Sequence, residues 1–398
     1  MSTPSIARPS SLKMSRSPIF YTGKNNTLTN DDLTYMSLNL KIWAGALSSP
    51  PAANNYALSK TYSIDEVINF EVSDLVRSEF SHDFDIYTET GFTQSPYGEV
   101  LWVNATGAWT YSDNGAAPTT APHTTGTANA FLTTKGWTSW NNLHNDQYNT
   151  TLLAVARKRY VKSGNYEVLG VYNNATNLIA KATILWNDNS EADITKTLTF
   201  SNYTQDAVVY IGVGPQNIED NGLLPASVKP SQHTDGDYYD IILKNSAGAA
   251  ISTIRYELTC EPKYTPYQVA FINRYGVADF ITFFKASTEQ GNFTSESYKR
   301  SIYQDGFTAA STQVGQSQSF NTNSRNTITM NTGWVEEAYA DVVEDILMSD
   351  TIAVLLDGSW VSVQPQRGNV DYYKEVNQKI INYTMTFDIA FNERTLTR

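Results

Sequence analysis

Cysteine is almost absent from this sequence of 398 residues, in which Cys260 is the single example. One cysteine excludes an intramolecular disulfide framework and a zinc site built from several thiolates. Cys260 continues an alternation that begins with Ile254, Tyr256 and Leu258. Because every second side chain of a strand lies on the same face, we expect this thiol to be a small buried apolar group.

Charged residues are also scarce. They make up 17% of the chain, against about a quarter in ordinary soluble domains. The formal net charge is −12, and the longest basic cluster is the short run at 157–159. Phosphate binding requires clustered Lys and Arg side chains that release counterions. The composition therefore excludes a general nucleic-acid-binding protein.

Long hydrophobic runs are missing as well. No segment approaches the roughly 18 apolar residues that a membrane-spanning helix needs. The first twenty residues are polar and rich in Pro and Ser, without the apolar stretch of a secretory signal. We therefore expect a soluble protein that is made in the cytosol and has no membrane span.

Residue types that commonly perform chemistry form no recognisable motif. The four histidines are His82, His123, His144 and His233. No two of them have the spacing of a helical metal-binding pair. Acidic residues are densest at Asp235, Asp237 and Asp240, but their spacing differs from that of a calcium loop and is typical of a turn. We predict no catalytic residues, no cofactor and no metal site.

The residues that are plentiful favour β-structure. Hydrophobic residues reach 41% and tyrosine occurs 25 times, and aromatic residues are enriched in strands. Short alternating segments are separated by turns of Asn, Asp, Gly and Pro, a spacing typical of β-sandwiches. The predicted fold class is mainly β, with two or three β-sandwich-like domains, one amphipathic C-terminal helix and a terminal β-hairpin.

Changes in composition suggest four segments along the chain. The predicted segments are a flexible arm at 1–16, a β domain at 17–175, a sandwich-like domain at 176–262 and a β domain at 263–398. The first β domain contains a long polar loop at 113–130, which is rich in Thr, Ala, Gly and Pro. Loops of this length in compact domains are usually functional or disordered.

The last third of the chain has the clearest local patterns. Apolar residues recur at helical spacing over 334–349, after the N-cap candidates Asn331 and Thr332. Two apolar segments, Ile352–Leu356 and Trp360–Val363, flank Asp357-Gly358, a dipeptide typical of a type I′ hairpin turn. The patterns predict a helix followed by a tight hairpin.

A long two-faced strand follows this hairpin. Its apolar residues, which form the candidate assembly strand, are Ile381, Tyr383, Met385, Phe387, Ile389 and Phe391. They alternate with polar residues, so the strand is expected to bury one face. We expect it to pair with a neighbouring subunit, while the arm at 1–16 orders against another copy.

Aromatic residues around the polar loop allow two interpretations. The candidate contacts for a glycan or a protein partner are Trp109, Trp137, Trp140 and Tyr148. Exposed indoles could stack sugar rings, or the tryptophans could close the core beneath the loop. The packing interpretation is the one we favour.

Two stretches together resemble structural virion proteins of tailed bacteriophages, in particular tail-tip, baseplate or neck components. One runs from Ser17-Pro18-Ile19-Phe20-Tyr21 through the strand at 33–43 to the segment 68–76. The other runs from the segment 269–276 through Phe280–Phe284 to the terminal helix, hairpin and strand. The likeness lies in the general pattern, without a diagnostic motif. It covers about half of the chain.

This resemblance implies a non-enzymatic structural protein located in a virion that is made in the host cytoplasm. Its partners would be copies of itself, in a ring or sleeve, and other virion proteins. One alternative is a receptor- or carbohydrate-binding module that contacts a host surface glycan. Another is a polysaccharide-degrading enzyme, which would need two carboxylates facing each other in a cleft.

Overall fold

The structure of this chain is a computed structural model. It describes the residues 5–7, 12–24, 34–62, 67–80, 92–94, 100–111, 119–123, 130–138, 152–173, 179–187, 194–199, 207–220, 237–261, 263–300, 315–368 and 380–394. The fold of these residues is mainly β, with several sheets. No helix among them is both long and apolar enough to cross a membrane.

The described residues form 26 strands and three helices. In chain order they are β1 (Ser5–Ala7), β2 (Lys13–Met14), β3 (Phe20–Lys24), β4 (Thr34–Trp43), β5 (Tyr56–Tyr62), β6 (Val67–Glu71), α1 (Ser73–Ser78), β7 (Phe92–Gln94), β8 (Val100–Tyr111), β9 (Thr119–His123), β10 (Phe131–Thr134), β11 (Lys158–Val161), β12 (Val168–Asn173), β13 (Ile179–Asn187), β14 (Ile194–Thr199), β15 (Ala207–Gly212), α2 (Pro215–Asp220), β16 (Tyr238–Asn245), β17 (Ala250–Leu258), β18 (Tyr267–Ile272), β19 (Ala278–Phe283), β20 (Thr288–Lys299), β21 (Ser317–Asn331), β22 (Val335–Glu336), α3 (Tyr339–Met348), β23 (Ile352–Leu356), β24 (Ser359–Pro365), β25 (Ile380–Ile381) and β26 (Thr384–Arg394).

The chain divides into two compact units. The first comprises Met1–Cys260 and Ile272–Phe280, and the second comprises Glu261–Phe271 and Ile281–Arg398. The short segment Ile272–Phe280 is the tip of the hairpin between β18 and β19.

The first unit begins with two sheets that share one core. A three-stranded sheet has the order β1-β3-β6, and a six-stranded sheet has the order β2-β10-β8-β4-β5 with β9 beside β8. Tyr21 and Phe70 of the small sheet lie in the same buried cluster as Met36, Leu38 and Trp109 of the larger one. Two sheets that bury facing apolar side chains in this way have the arrangement of a β-sandwich.

A second core lies further along the same unit. It joins the five-stranded sheet β11-β17-β16-β13-β14 to the three-stranded sheet β12-β15-β7. At its centre Tyr239 and Tyr256 stack with ring centroids 5.2 Å apart. This cluster includes Val171 and Ile184. The predicted domain boundary at 175/176 therefore falls within one core.

A buried ion pair connects the hairpin tip 272–280 to β11 of the first unit. Arg159 of β11 contacts the carboxylate of Asp279 and donates a hydrogen bond of 2.8 Å to the carbonyl of Phe280. The Nδ2 atom of Asn273 donates to the second carboxylate oxygen of Asp279 at 3.1 Å and to the carbonyl of Leu153 at 2.8 Å. All three polar side chains are buried. Each partner compensates the desolvation of the others.

The second unit is built on a seven-stranded antiparallel sheet with the order β19-β18-β23-β24-β26-β21-β20. Helix α3 buries Val342, Val343 and Ile346. A short separate pair joins β22 to β25, with Val335 opposite Ile381.

The predicted hairpin turn of the second unit is confirmed. β23 and β24 pair from Ile352–Val363 to Leu356–Ser359, and Asp357 and Gly358 have φ angles of 48° and 79°. Both central residues therefore have the positive φ that a type I′ turn requires.

The helix of the second unit begins later than its apolar pattern predicts. Asn331 and Thr332 are not its N-cap, because Gly333 turns the chain at a φ of 78° and Val335–Glu336 then pairs with β25. The N-cap is Ala338, without a capping side-chain hydrogen bond. Val335 and Glu336, which the apolar periodicity assigned to the helix, are thus part of a strand pair.

Two expectations about individual segments require correction. The arm at 1–16 is not loose throughout, because Ser5–Ala7 pairs with β3, Lys13–Met14 pairs with β10, and Leu12 and Met14 are fully buried.

Cys260 is exposed, although the sequence predicts a buried thiol. The strand β17 ends two residues earlier, at Leu258, so the alternation that predicted burial does not extend to the thiol.

Candidate interaction surface

The outer strand of the seven-stranded sheet is unusually exposed. β20 pairs with β21 in a register that runs from Thr288–Thr329 to Lys299–Ser317. All twelve residues of β20 are exposed. Among the described residues β20 has no strand on its other side, so it is an edge of the sheet.

The sequence explains why this strand lacks a buried face. β20 reads TEQGNFTSESYK, in which polar residues occupy both sets of alternating positions. β21 changes along its length, because its first four residues are exposed whereas Ile328 and Met330 near its end are buried. We call the paired segments Gly291–Lys299 and Ser317–Asn326 the ribbon.

The ribbon carries exposed aromatic side chains. Phe293 has 73% of its surface exposed, and the rings of Tyr298 and Phe320 meet at an angle of 59° with centroids 6.0 Å apart. The Phe293 ring lies along its own strand, since a Cβ added at Gly291 would be 3.0 Å from its Cε2 atom. Nearby on β26, Phe391 is 64% exposed. Large exposed aromatic side chains on a sheet edge are typical of interaction surfaces.

The charges of β20 lie toward its ends. Glu289 stands near the start, Glu296 lies three residues from the end, and Lys299 is the last residue. Arg300 follows, with its Nε donating to the carbonyl of Gly315 at 3.2 Å. The two ends of the edge therefore carry opposite charges.

Two other sheet edges, β19 and β5, are protected in ways that β20 is not. β19, at the opposite end of the seven-stranded sheet, is buried along its whole length. β5, at the end of the six-stranded sheet, carries Lys60, whose Nζ donates to the carbonyl of Asn69 at 2.6 Å and lies 5.4 Å from the centroid of Phe70. A lysine within an edge strand discourages pairing with another chain. β20 has no charged residue between Glu289 and Glu296 and no proline.

The structure places the predicted assembly strand in the interior of the sheet. Ile381, Tyr383, Met385 and Phe387 are buried, as the alternation predicts. β26 pairs with β21 on one side, and Phe387–Ile389 pairs with Val363–Pro365 of β24 on the other. Phe387–Ile389 consequently has no free edge within the chain, and pairing of the candidate assembly strand with a neighbouring subunit stays a prediction. Ile389 is half-buried, and Phe391 lies beyond the residues that pair with β24.

The aromatic residues around the polar loop have different environments. Trp109 is fully buried in the first core, with its Cζ2 atom 2.8 Å from where a Cβ on Gly23 would lie. It cannot stack on a glycan, so the packing interpretation holds for this residue. Trp137 is half-buried, its backbone N–H donates to the carbonyl of Arg274 at 2.8 Å, and the guanidinium of Arg16 lies 5.0 Å from its ring centroid. Trp140 and Tyr148 lie outside the described residues.

Part of the long polar loop at 113–130 is a strand. Thr119–His123 forms β9 and pairs with β8 from Gly107–His123 to Tyr111–Thr119. Its threonine-rich sequence is compatible with a strand. The remaining residues of the predicted loop, apart from Ala130, lie outside the described ranges.

The buried Arg159 cluster has the features of a structural ion pair. Burial alone would lower the pKa of the Arg159 guanidinium, but the nearby Asp279 carboxylate more than offsets this and keeps the pKa above its ordinary value. Asp240, part of the densest acidic segment, accepts hydrogen bonds from Arg255 at 2.8 and 2.9 Å. These carboxylates are engaged by guanidinium groups of the same unit.

No protein-family model and no curated protein matches the chain. Similar solved structures include trypsin-activated alpha-2-macroglobulin of Escherichia coli, with 9% identity, a TM-score of 0.21, and coverage of 96% of this chain and 21% of that chain. The native conformation of E. coli alpha-2-macroglobulin gives 11% identity, a TM-score of 0.21, and coverage of 82% and 21%. The extracellular portion of mouse CD200RLa gives 9% identity, a TM-score of 0.18, and coverage of 44% and 92%. This chain spans about a fifth of the alpha-2-macroglobulin chains, and none of these TM-scores supports an argument about fold or function.

Proposed function

We propose that this chain is a non-enzymatic structural protein of a tailed-phage virion, which assembles with copies of itself and with other virion proteins into a ring or sleeve of the tail, baseplate or neck. The observation that supports assembly most strongly is the edge strand β20, whose twelve residues are all exposed and whose outer side is unpaired among the described residues. The assignment to a phage virion rests on the sequence resemblance alone.

The ribbon has the properties that an assembly element needs. Its strands already have the β conformation, so a neighbouring chain can add to the edge without paying the entropy of folding a disordered segment. Its polar faces keep the free chain soluble, and its aromatic rings supply contact area with few torsions to immobilise. The net charge of −12 and the scarcity of lysine and arginine favour partners that are proteins over nucleic acid.

Shortening the ribbon tests assembly directly. In the shortened variant, residues 292–325 are replaced by an Asn-Gly turn that joins Gly291 to Asn326, two residues that face each other in the register. We expect negative-stain electron microscopy to show symmetric oligomers of the full chain, whereas this variant should form none of that size. Among the described residues that are removed, 292–300 and 315–325, no apolar side chain is buried, so circular dichroism and thermal unfolding should stay close to those of the full chain.

The proposed location in a phage virion requires a separate experiment. Antibodies raised against the purified chain should label one end of tailed-phage particles from the source culture in electron micrographs. Oligomers without particle labelling would leave the assembly role standing and remove the phage assignment. A full chain that remains monomeric at the highest soluble concentration, or a shortened variant that assembles normally, would contradict the proposed role of the ribbon.

A further inference from the structure

We propose that β20 pairs with β20 of a second copy of this chain, antiparallel and in the register that places Thr294 opposite Thr294 of the other copy. This inference rests on the proposed function and deepens it, because it names the partner surface and the alignment of the first assembly contact. The pair is two-fold symmetric, so each contact occurs twice.

The backbone of β20 is available for such pairing. Every second residue of an edge strand directs its N–H and C=O groups away from the sheet, and these groups can form a ladder with another strand. All twelve residues from Thr288 to Lys299 are exposed, and within the described ranges only β21 pairs with them. The proposed register pairs eleven of these residues, 289–299.

Charge complementarity selects an antiparallel second copy as the occupant. Glu289 and Lys299 lie at opposite ends of the strand, and antiparallel pairing about Thr294 places each opposite the other residue of the second copy. Opposite charges facing each other across strands stabilise the pair, and like charges destabilise it. Within one chain these two residues are ten positions apart, roughly 33 Å along a strand. They therefore cannot form an ion pair with each other in the monomer.

Alternative registers use the edge less well. Placing Glu289 opposite Arg300 would compete with the hydrogen bond that the Arg300 guanidinium already donates to the carbonyl of Gly315. Placing Glu296 opposite Lys299 would overlap only the last four residues of the strand, 296–299. The register centred on Thr294 avoids both costs.

The same register brings the most exposed aromatic side chain of the sheet edge close to its symmetry mate. Phe293 faces Ser295 of the second copy, so the two Phe293 residues become diagonal neighbours across the two-fold axis. Diagonal positions on one sheet face are roughly 7–8 Å apart, within reach of aromatic rings. The 73% exposure of Phe293 in the single chain therefore decreases on pairing. Charge pairing and aromatic contact thus favour the same alignment.

Charge reversal in the full-length chain tests the register. The variants are Glu289→Lys, Lys299→Glu and the double variant with both changes, compared by sedimentation-velocity ultracentrifugation over a concentration series. Glu337→Lys, an exposed position outside the ribbon, is the matched control. Circular dichroism checks that each variant is folded, which we expect because the changed side chains are exposed.

The expected pattern combines loss and rescue. Each single reversal creates two like-charged pairs in the dimer, so its dissociation constant should rise about tenfold or more. The double variant should return to within about threefold of the wild type. An equimolar mixture of the two single variants should form heterodimers, since every Glu and Lys at these positions again faces an opposite charge. Glu337→Lys should leave the dissociation constant unchanged.

Several outcomes would overturn this inference, and they differ from the outcomes that would overturn the proposed function. If single reversals have no effect, or if the double variant is as weak as the single ones, the Glu289–Lys299 register is wrong. The mixture of the two single variants tests the same register. If it contains homodimers but no heterodimers, the pairing of residue 289 with residue 299 is wrong. If the ribbon-shortened variant nevertheless fails to assemble, the ribbon acts in assembly through another contact. If shortening has no effect either, the ribbon has no role in assembly, and the proposed function then depends on oligomers that the full chain forms through another surface.

Discussion

At the scale of single residues, the buried Arg159–Asp279 ion pair is expected to affect the free energy of unfolding strongly. Removing one partner of a buried pair leaves an uncompensated charge, which typically costs about 3–5 kcal/mol. We therefore expect Asp279→Asn to lower the free energy of unfolding of the first unit by this amount. Urea unfolding followed by tryptophan fluorescence measures it. The physical cause is burial, since both side chains have 5% of their surface exposed.

An exposed ion pair of the same unit provides the control for this prediction. Arg255 also binds a carboxylate, that of Asp240, but 43% of its side chain is exposed. Exposed pairs contribute about 0–1 kcal/mol, so Arg255→Met should cost far less than Asp279→Asn. Equal losses in the two variants would contradict the role that we assign to burial. The buried pair is not predictable from the sequence, because 120 residues separate Arg159 from Asp279.

At the scale of elements, the turn between β23 and β24 depends on its glycine. Gly358 has a φ of 79°, and a left-handed conformation costs a residue with a Cβ about 1–2 kcal/mol. We expect Gly358→Ala to destabilise the second unit by that amount. Differential scanning calorimetry measures the loss. Gly368→Ala is the matched control, because its φ lies outside the left-handed region and an added Cβ would meet nothing within 4 Å. A similar loss in both variants would show that the turn conformation is not the cause.

The elements that the sequence predicts well are those with a strong local signal. The Asp357-Gly358 turn is specified by two neighbouring residues, and the buried face of β26 by strict alternation. β20 gave no such signal, since the strand buries neither face and its period-2 pattern is absent. Its threonine, phenylalanine and tyrosine content was the available indication, and this is a weak one. The candidate surface was therefore missed, and the sequence pointed to β26 as the strand that pairs with a neighbour.

Pairings between distant segments limit what sequence patterns can predict. β26 was correctly expected to be a strand, but whether a strand is central or at an edge depends on its neighbours β21 and β24. Likewise, the polar composition of residues 1–16 suggested a loose arm, although Leu12 and Met14 are buried against the rest of the unit. Local composition indicates a conformation, whereas the sheet order decides which backbone edges and side chains remain available to partners.

At the scale of the whole molecule, net charge opposes the association that the strand edge favours. Each copy carries −12, so two copies repel each other over a distance set by the ionic strength. The screening length falls from about 30 Å at 0.01 M salt to about 8 Å at 0.15 M. The two exposed Glu289–Lys299 pairs of the proposed dimer weaken over the same range, but such pairs contribute only about 0–1 kcal/mol each. The loss of long-range repulsion should therefore dominate.

We consequently expect self-association to strengthen when sodium chloride is raised from 0.01 to about 0.15 M, the range over which this screening length shortens. Sedimentation velocity at fixed protein concentration measures the dimer fraction at each salt concentration. The double variant, with Glu289→Lys and Lys299→Glu, has the same net charge and should show the same rise. A dimer fraction that falls steadily as salt is raised would contradict this prediction. It would mean that attraction between opposite charges controls the association of this chain and outweighs the net repulsion.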